Sequence, residues 1–166
     1  MTQFEDITYE VDGAAGIITI NRPDRYNAFR SKTVDELINA FQAAWSDPAV
    51  RAVILTGAGE KAFCTGGDVK QRAETGDYGP SELGRFRIGD LHKTMRDIPK
   101  PVIAAVNGVA VGGGNVLQVI ADVSIASDTA RFGQAGPRVG SFDAGFGTAY
   151  LARAVGEKKA REIWFW

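Results

Sequence analysis

A chain of 166 residues, 45% of them hydrophobic, makes a single domain with a substantial core. Its 19 basic and 20 acidic residues nearly cancel, which argues against a nucleic-acid or membrane-surface role. One cysteine excludes an internal disulfide and fits a reducing cytoplasm, and a lone histidine, His92, argues against a zinc site or a Ser-His-Asp triad.

The first residues lack the basic start and apolar core of a signal peptide. No apolar run reaches the ~20 residues of a membrane span. Ile7 to Val11 and Gly16 to Ile20 read as strands joined at Asp12-Gly13, and Asn21 to Asp24 ends the second. A helix follows. Thr33 and Glu36 have capping-box spacing, and Val34, Leu37, Ile38, Phe41, Ala44 and Trp45 form one apolar face. Asp47-Pro48 stops it. Arg51 to Thr56 is a buried-type strand. Residues 69–82 are polar and aperiodic and read as a loop. Leu83 to Ile98 is helical at least in its second half, with Leu91, Met95 and Ile98 in phase. A strand (102–107), a helix (Gly113 to Ala121), a strand (123–126) and a helix (144–155) come next. Gly156 separates the last of these from a helix starting near Glu157. Alternating strands and helices give an α/β fold of ββα-like units in one domain, 1–166. The apolar end, Ile163 to Trp166, carries no cap or polar tail, so the chain is expected to be truncated at its C-terminus.

Two glycine turns carry the chemistry: Phe63-Cys64-Thr65-Gly66-Gly67-Asp68 and Val111-Gly112-Gly113-Gly114-Asn115. Each follows an apolar run, and glycine lets a backbone amide approach a ligand. By residue type alone they serve equally as tight turns. As a pair they suit an oxyanion hole. In order, separation and flanking strands they resemble the crotonase (enoyl-CoA hydratase/isomerase) superfamily, over nearly the whole chain. The resemblance implies a spiral of ββα units, here without the C-terminal helical part. It implies that the amides of Gly67 and Gly113 hold a thioester oxygen, with Thr65, Gly66, Asp68, Val109 and Gly112 around the substrate. It also implies that Arg25 and Tyr26 line the CoA adenine and phosphates, and that the protein is a homotrimer or hexamer binding an acyl-CoA.

Hydratases of this superfamily carry one glutamate after the glycine triplet and another after a Phe-Gly-Gln run. Here those positions are Val116 and Gly136, so simple hydration lacks its acid and its base. The runs Phe132 to Pro137, Gly140 to Asp143 and Lys158 to Trp164 resemble two branches, 1,4-dihydroxy-2-naphthoyl-CoA synthase and 2-ketocyclohexanecarboxyl-CoA hydrolase. In the synthase a bound bicarbonate is the base. Gln134, the amide of Gly136 and the indole of Trp164 match the positions that hold it, and their donor types suit a small planar anion. Taken singly, Trp164 reads as a core aromatic and Gln134 as a solvated loop residue. Ser141 and Asp143 match the pair that moves a proton at the second carbonyl, though Asp143 beside glycines also fits an Asx-turn.

Lys70, Arg72 and Tyr78 match synthase positions facing the substrate's second carboxylate and ring, while a charged loop alone is more often solvated surface. Thr65, Asn115 and the run Gly156 to Lys159 look more like the hydrolase, and Val69 and Ala135 depart from the synthase. The resulting expectation is an enzyme of CoA-thioester enolates doing Claisen- or Dieckmann-type carbon–carbon chemistry, with CoA as part of the substrate and no metal. Ring opening is the alternative, and an inactive truncated remnant the non-enzymatic one. Cys64 reads as packing, and His92 receives no role.

Overall fold

The computed structural model describes residues 4–141 and 146–166. Strands β1 (Ile7–Asp12) and β2 (Ala15–Ile20) form an antiparallel hairpin with Ile7 opposite Ile20 and Asp12 opposite Ala15. Gly13 takes the left-handed conformation its turn needs, φ 56°. Strands β3 (Ala52–Gly57), β5 (Val102–Val106) and β7 (Val123–Ala126) add in parallel, so the large sheet runs β1-β2-β3-β5-β7. Helix α1 (Ser31–Ser46) lays Val34, Leu37, Ile38, Phe41 and Ala44 into the core with Ile18, Ile20 and Leu55. Trp45, expected on that face, is 40% exposed. It lies at the helix end, where periodicity fixes a side chain's direction but not whether a neighbour reaches it.

The capping box is also displaced by one turn. Arg30 is the N-cap residue, and its amide donates to Thr33 Oγ1 at 3.1 Å. Glu36 instead accepts from the amides of Glu5 and Asp6 at 2.9 and 2.8 Å. The carboxylate expected to close the box satisfies the chain's first strand approach instead.

A second, smaller sheet was not legible in the sequence. Strands β4 (Ala62–Cys64), β6 (Val109–Val111) and β8 (Arg131–Gly133) are parallel, in the order β4-β6-β8. Each has three residues, too few to show a period. With it, three ββα units emerge: β3-β4 then α2 (Val69–Thr75), β5-β6 then α4 (Gly113–Ile120), β7-β8 then α5 (Gly136–Val139). The first strand of each unit joins the large sheet and the second joins the small one. Asn27 and Asn107 brace the crossing between sheets. Asn27 Nδ2 donates to the Ala62 carbonyl at 2.7 Å, and Asn107 Nδ2 to the Gly57 carbonyl at 2.8 Å.

Helix α2 lies where a loop was expected. Asp68 caps it by accepting from the Gln71 amide at 3.1 Å, and Gly76 ends it in the left-handed conformation. It buries no residue, so no apolar stripe betrays it. Helix α3 (Ile88–Asp97) occupies the second half of the expected 83–98 helix. The chain closes with α6 (Phe146–Val155) and α7 (Glu157–Phe165). Among the described residues no helix is long and apolar enough to cross a membrane.

Candidate active site

All three strands of the small sheet point their C-terminal ends at one place. β4 leads into Thr65-Gly66-Gly67, β6 into Gly112-Gly113, and β8 into Gln134-Ala135-Gly136. Ligands of parallel sheets gather at such ends, because the loops there are free to present backbone and side chains. A cavity of about 600 Å³ opens at this point, and Thr65, Gly66, Gly67, Gly112, Gly113 and Gly136 contribute to its wall.

The glycine turns meet closely. Gly66 has φ +85°, and a Cβ there would stand 2.9 Å from the Gly113 nitrogen. Phe29 bridges the first turn. Its amide donates to the Gly66 carbonyl at 2.8 Å, and its carbonyl accepts from the Asp68 amide at 2.9 Å. The Gly67 amide between them takes no share in that bridge. Gly112 has φ +57° and its carbonyl accepts the first bond of α4, from the Val116 amide at 3.0 Å. The Gly113 amide sits at the first position of α4, ahead of any intrahelical acceptor and at the positive end of the helix dipole.

Aromatic rings cover this floor. A Cβ on Gly67 would be 2.6 Å from the Tyr78 ring, and one on Gly113 2.5 Å from Phe29 Cζ. Tyr78 stacks on Phe86 with centroids 4.5 Å apart, and the Arg72 guanidinium lies 5.8 Å from the Tyr78 ring centre. Arg72, Tyr78 and Ser141 all line the cavity. Lys70 is exposed on α2 and outside the lining. Asp68 is buried with one oxygen on the α2 cap and the other 3.1 Å from Arg22. Burial raises its pKa, but the Gln71 amide and Arg22 bring it below the ordinary value. Asp68 therefore shapes the turn rather than facing the cavity. Val109 lies in β6 and likewise does not line it. Arg25 closes a 3-10 turn, Pro23–Arg25, and Tyr26 follows with φ 51° and 53% exposure. Tyr26 meets the site through its carbonyl, which accepts from Thr65 Oγ1 at 3.2 Å.

Gln134 is buried, and among the described residues neither its Oε1 nor its Nε2 has a hydrogen-bond partner. An orphaned buried amide calls for an explanation, such as a ligand that completes it. Gly136 is packed hard: a Cβ there would stand 2.6 Å from the Ser141 carbonyl oxygen and 3.1 Å from Trp164 Cζ3. Trp164 thus stands beside the Gly136 turn, lining a neighbouring hollow of about 360 Å³ that shares Ser141 with the main cavity. Gly136→Asp is accordingly expected to strain the chain instead of restoring a hydratase-type carboxylate. Its thermal midpoint should fall by several degrees, for a cost of about 1–3 kcal/mol. An unchanged midpoint would contradict that packing. Asp143 lies outside the described residues. Val116 is buried in the core at 1% exposure, away from any carboxylate's work. Burial lifts the Cys64 thiol to about 12, consistent with packing.

His92, unassigned from sequence, lines the cavity with its ring edge-on to Phe146, centroids 5.7 Å apart. Its spacing from Ile88 and Met95 put it on the buried face of α3, a signal the sequence did hold. Burial lowers its pKa to about 4, against 6.5 when unfolded. Between those values the unfolded chain binds the extra proton, so stability is lost as pH falls. The expected loss from pH 7 to pH 5 is about 2 kcal/mol, and His92→Phe should remove it. Denaturant melts of both proteins at the two pH values decide this. Equal pH dependence in the two proteins would mean that the imidazole titrates in the fold as it does in the unfolded chain.

Fold and site together define an α/β protein whose two glycine turns meet at the wall of one cavity. Residues 10–166 match the sequence model of the enoyl-CoA hydratase/isomerase family, and the chain belongs to that family. An enoyl-CoA hydratase subunit I from Geobacillus kaustophilus is 32% identical, with a TM-score of 0.82 over 98% of this chain and 62% of that one. An enoyl-CoA hydratase from Bacillus anthracis is also 32% identical, with a TM-score of 0.84 over 96% and 62%. An enoyl-CoA hydratase/carnithine racemase from Magnetospirillum magneticum is 31% identical, with a TM-score of 0.85 over 97% and 61%. The chain thus spans a little over three-fifths of the length of these structures.

Proposed function

We propose that this chain acts on an acyl-CoA by stabilising a thioester enolate, and that its reaction is a Dieckmann-type ring closure like that of 1,4-dihydroxy-2-naphthoyl-CoA synthase. The observation that carries the ring-closure reading is the third strand end. By resemblance Gly136 stands where a hydratase has a glutamate, and near it Gln134 keeps a buried amide with no partner among the described residues. Gln134, the Gly136 amide and the Trp164 indole are the donors that would hold bicarbonate there. When bound, bicarbonate supplies the base that Val116 and Gly136 do not. The chain's own work is then as follows. The Gly67 and Gly113 amides donate hydrogen bonds to the thioester oxygen and stabilise the negative charge that develops there as the α-proton leaves. Arg72 and Tyr78 orient the distal end of the acyl group across the cavity. Ser141 and Asp143 move the proton at the second carbonyl.

Thr65 and Asn115 favour a second reading, ring opening by the related hydrolase, in which water is a reactant. Bicarbonate separates the two. In degassed, carbonate-free buffer the synthase reading expects a low rate that rises saturably with added bicarbonate. Trp164→Phe should raise the concentration required roughly 10-fold or more, since one donor to a charged acceptor is worth about 1.5–3 kcal/mol. A wild-type rate indifferent to bicarbonate moves the assignment to ring opening. We also propose a homo-oligomer, trimer or hexamer, supported by the exposed Val123 and Ile125 on the edge strand β7.

A further inference from the structure

We propose that Asp35, outside the cavity, is a positioning residue that latches the segment 78–87 as the aromatic wall of the acyl site. The proposal rests on the acyl-CoA reading for its consequence and on the structure for the latch itself. Asp35 lies on α1 at 2% exposure, an expensive place for a carboxylate. Both its oxygens reach across to that segment. Oδ2 accepts from the Glu82 amide at 2.8 Å, and Oδ1 pairs with Arg87 Nη1 at 3.2 Å. Arg87 is itself largely buried and also holds Asp90 at 3.3 Å through Nε. One helical turn earlier, the Ser31 amide donates to the Tyr78 carbonyl at 2.8 Å. The first half of α1 therefore pins both ends of the segment.

What the segment carries is the site's wall. Tyr78 lies over Gly67, and Phe86 stacks on Tyr78 while facing Phe29 at 6.1 Å between centroids. Residues 76–87 form no helix or strand, and Leu83 within them is 61% exposed. With so little apolar burial of its own, the segment depends on polar anchors for its position. Asp35 is the anchor that serves two of its residues at once. Its loss should let Tyr78 and Phe86 leave the cavity mouth without disturbing β4, β6 or the glycine turns.

The test uses the full chain with Asp35→Ala and Asp35→Asn. It combines hydrogen exchange along the backbone with calorimetric titration of benzoyl-CoA and of CoA alone. For Asp35→Ala, exchange across 76–87 should quicken roughly tenfold or more while protection of β3, β5 and α4 is retained. Benzoyl-CoA should bind roughly tenfold more weakly and CoA as before, because only the acyl group meets the wall. Asp35→Asn keeps an acceptor for Glu82 and leaves Arg87 paired with Asp90, so it should fold and fall between. Unchanged exchange at 76–87 in a folded variant overturns the latch. So does equal weakening of both ligands, or a loosened segment with benzoyl-CoA affinity intact. A wild type that binds neither compound defeats the acyl-CoA reading, and the exchange data alone then uphold or overturn the latch.

Discussion

Gly113→Pro is expected to lower turnover of a CoA thioester roughly 10²–10³-fold relative to Gly113→Ala, the loss that follows removal of one oxyanion donor. The comparison with alanine is what makes the measurement specific. Proline is tolerated at the first position of a helix, where no intrahelical bond is lost and the required φ is already set. Both substitutions, however, push a Cβ to within 2.5 Å of Phe29 Cζ. That atom is the far end of a side chain, which can tilt away. Alanine therefore bears the same Cβ clash and keeps the amide, whereas proline deletes the donor and adds its ring against Gly112, which is why the helices must be shown intact. The assay is kcat and KM for both variants, with circular dichroism confirming the helices. If the two variants have equal rates, the Gly113 amide does not act on the thioester, and the oxyanion assignment goes with it.

Long elements with a strong period were legible before any coordinates: the β1–β2 hairpin, the apolar face of α1, and β3, β5 and β7. The small sheet was not. Three strands of three residues have no period; they are held by pairing with one another, and Asn27 and Asn107 tie the start of β4 and the end of β3 across the two sheets, a tertiary effect. Helix α2 escaped for a different reason. Its Asp68 cap and Gly76 terminator stand in the sequence, but a helix that buries nothing has no apolar stripe to mark it. For the site, Gly67, Gly113, Arg72, Tyr78, Gly136 and Ser141 do reach one cavity. Asp68 does not face it, because its charge neutralises Arg22 and caps α2. The spacing of His92 places it on the buried face of α3 but gives it no role, since a lone histidine has no motif, and Phe86, an aromatic in a loop, has no neighbours until the loop is folded.

The glycine triplet holds the last lesson, because sequence shows three identical residues and the structure gives each a different reason. Gly112 needs a positive φ, and Gly113 offers an amide. Gly114 is there for closeness. A Cβ on it would fall on the Cys64 carbonyl oxygen, well inside contact, and 2.5 Å from the carbonyl carbon. Nothing in that neighbourhood is a flexible side-chain tip. The obstacle is the backbone of β4, already committed to pairing with β6. To admit one methyl, α4 must slide off β4, and that motion also separates the Gly66 turn from the Gly113 nitrogen. Gly114→Ala is thus expected to destabilise the fold by ~4 kcal/mol or more, at the upper end of single substitutions, despite alanine's better helix propensity. Its urea midpoint should collapse while Gly113→Ala, whose clash is with a movable ring, stays close to wild type. A Gly114→Ala protein with a native midpoint would mean that α4 and β4 do not touch as described, and that the triplet is in place for its turn alone.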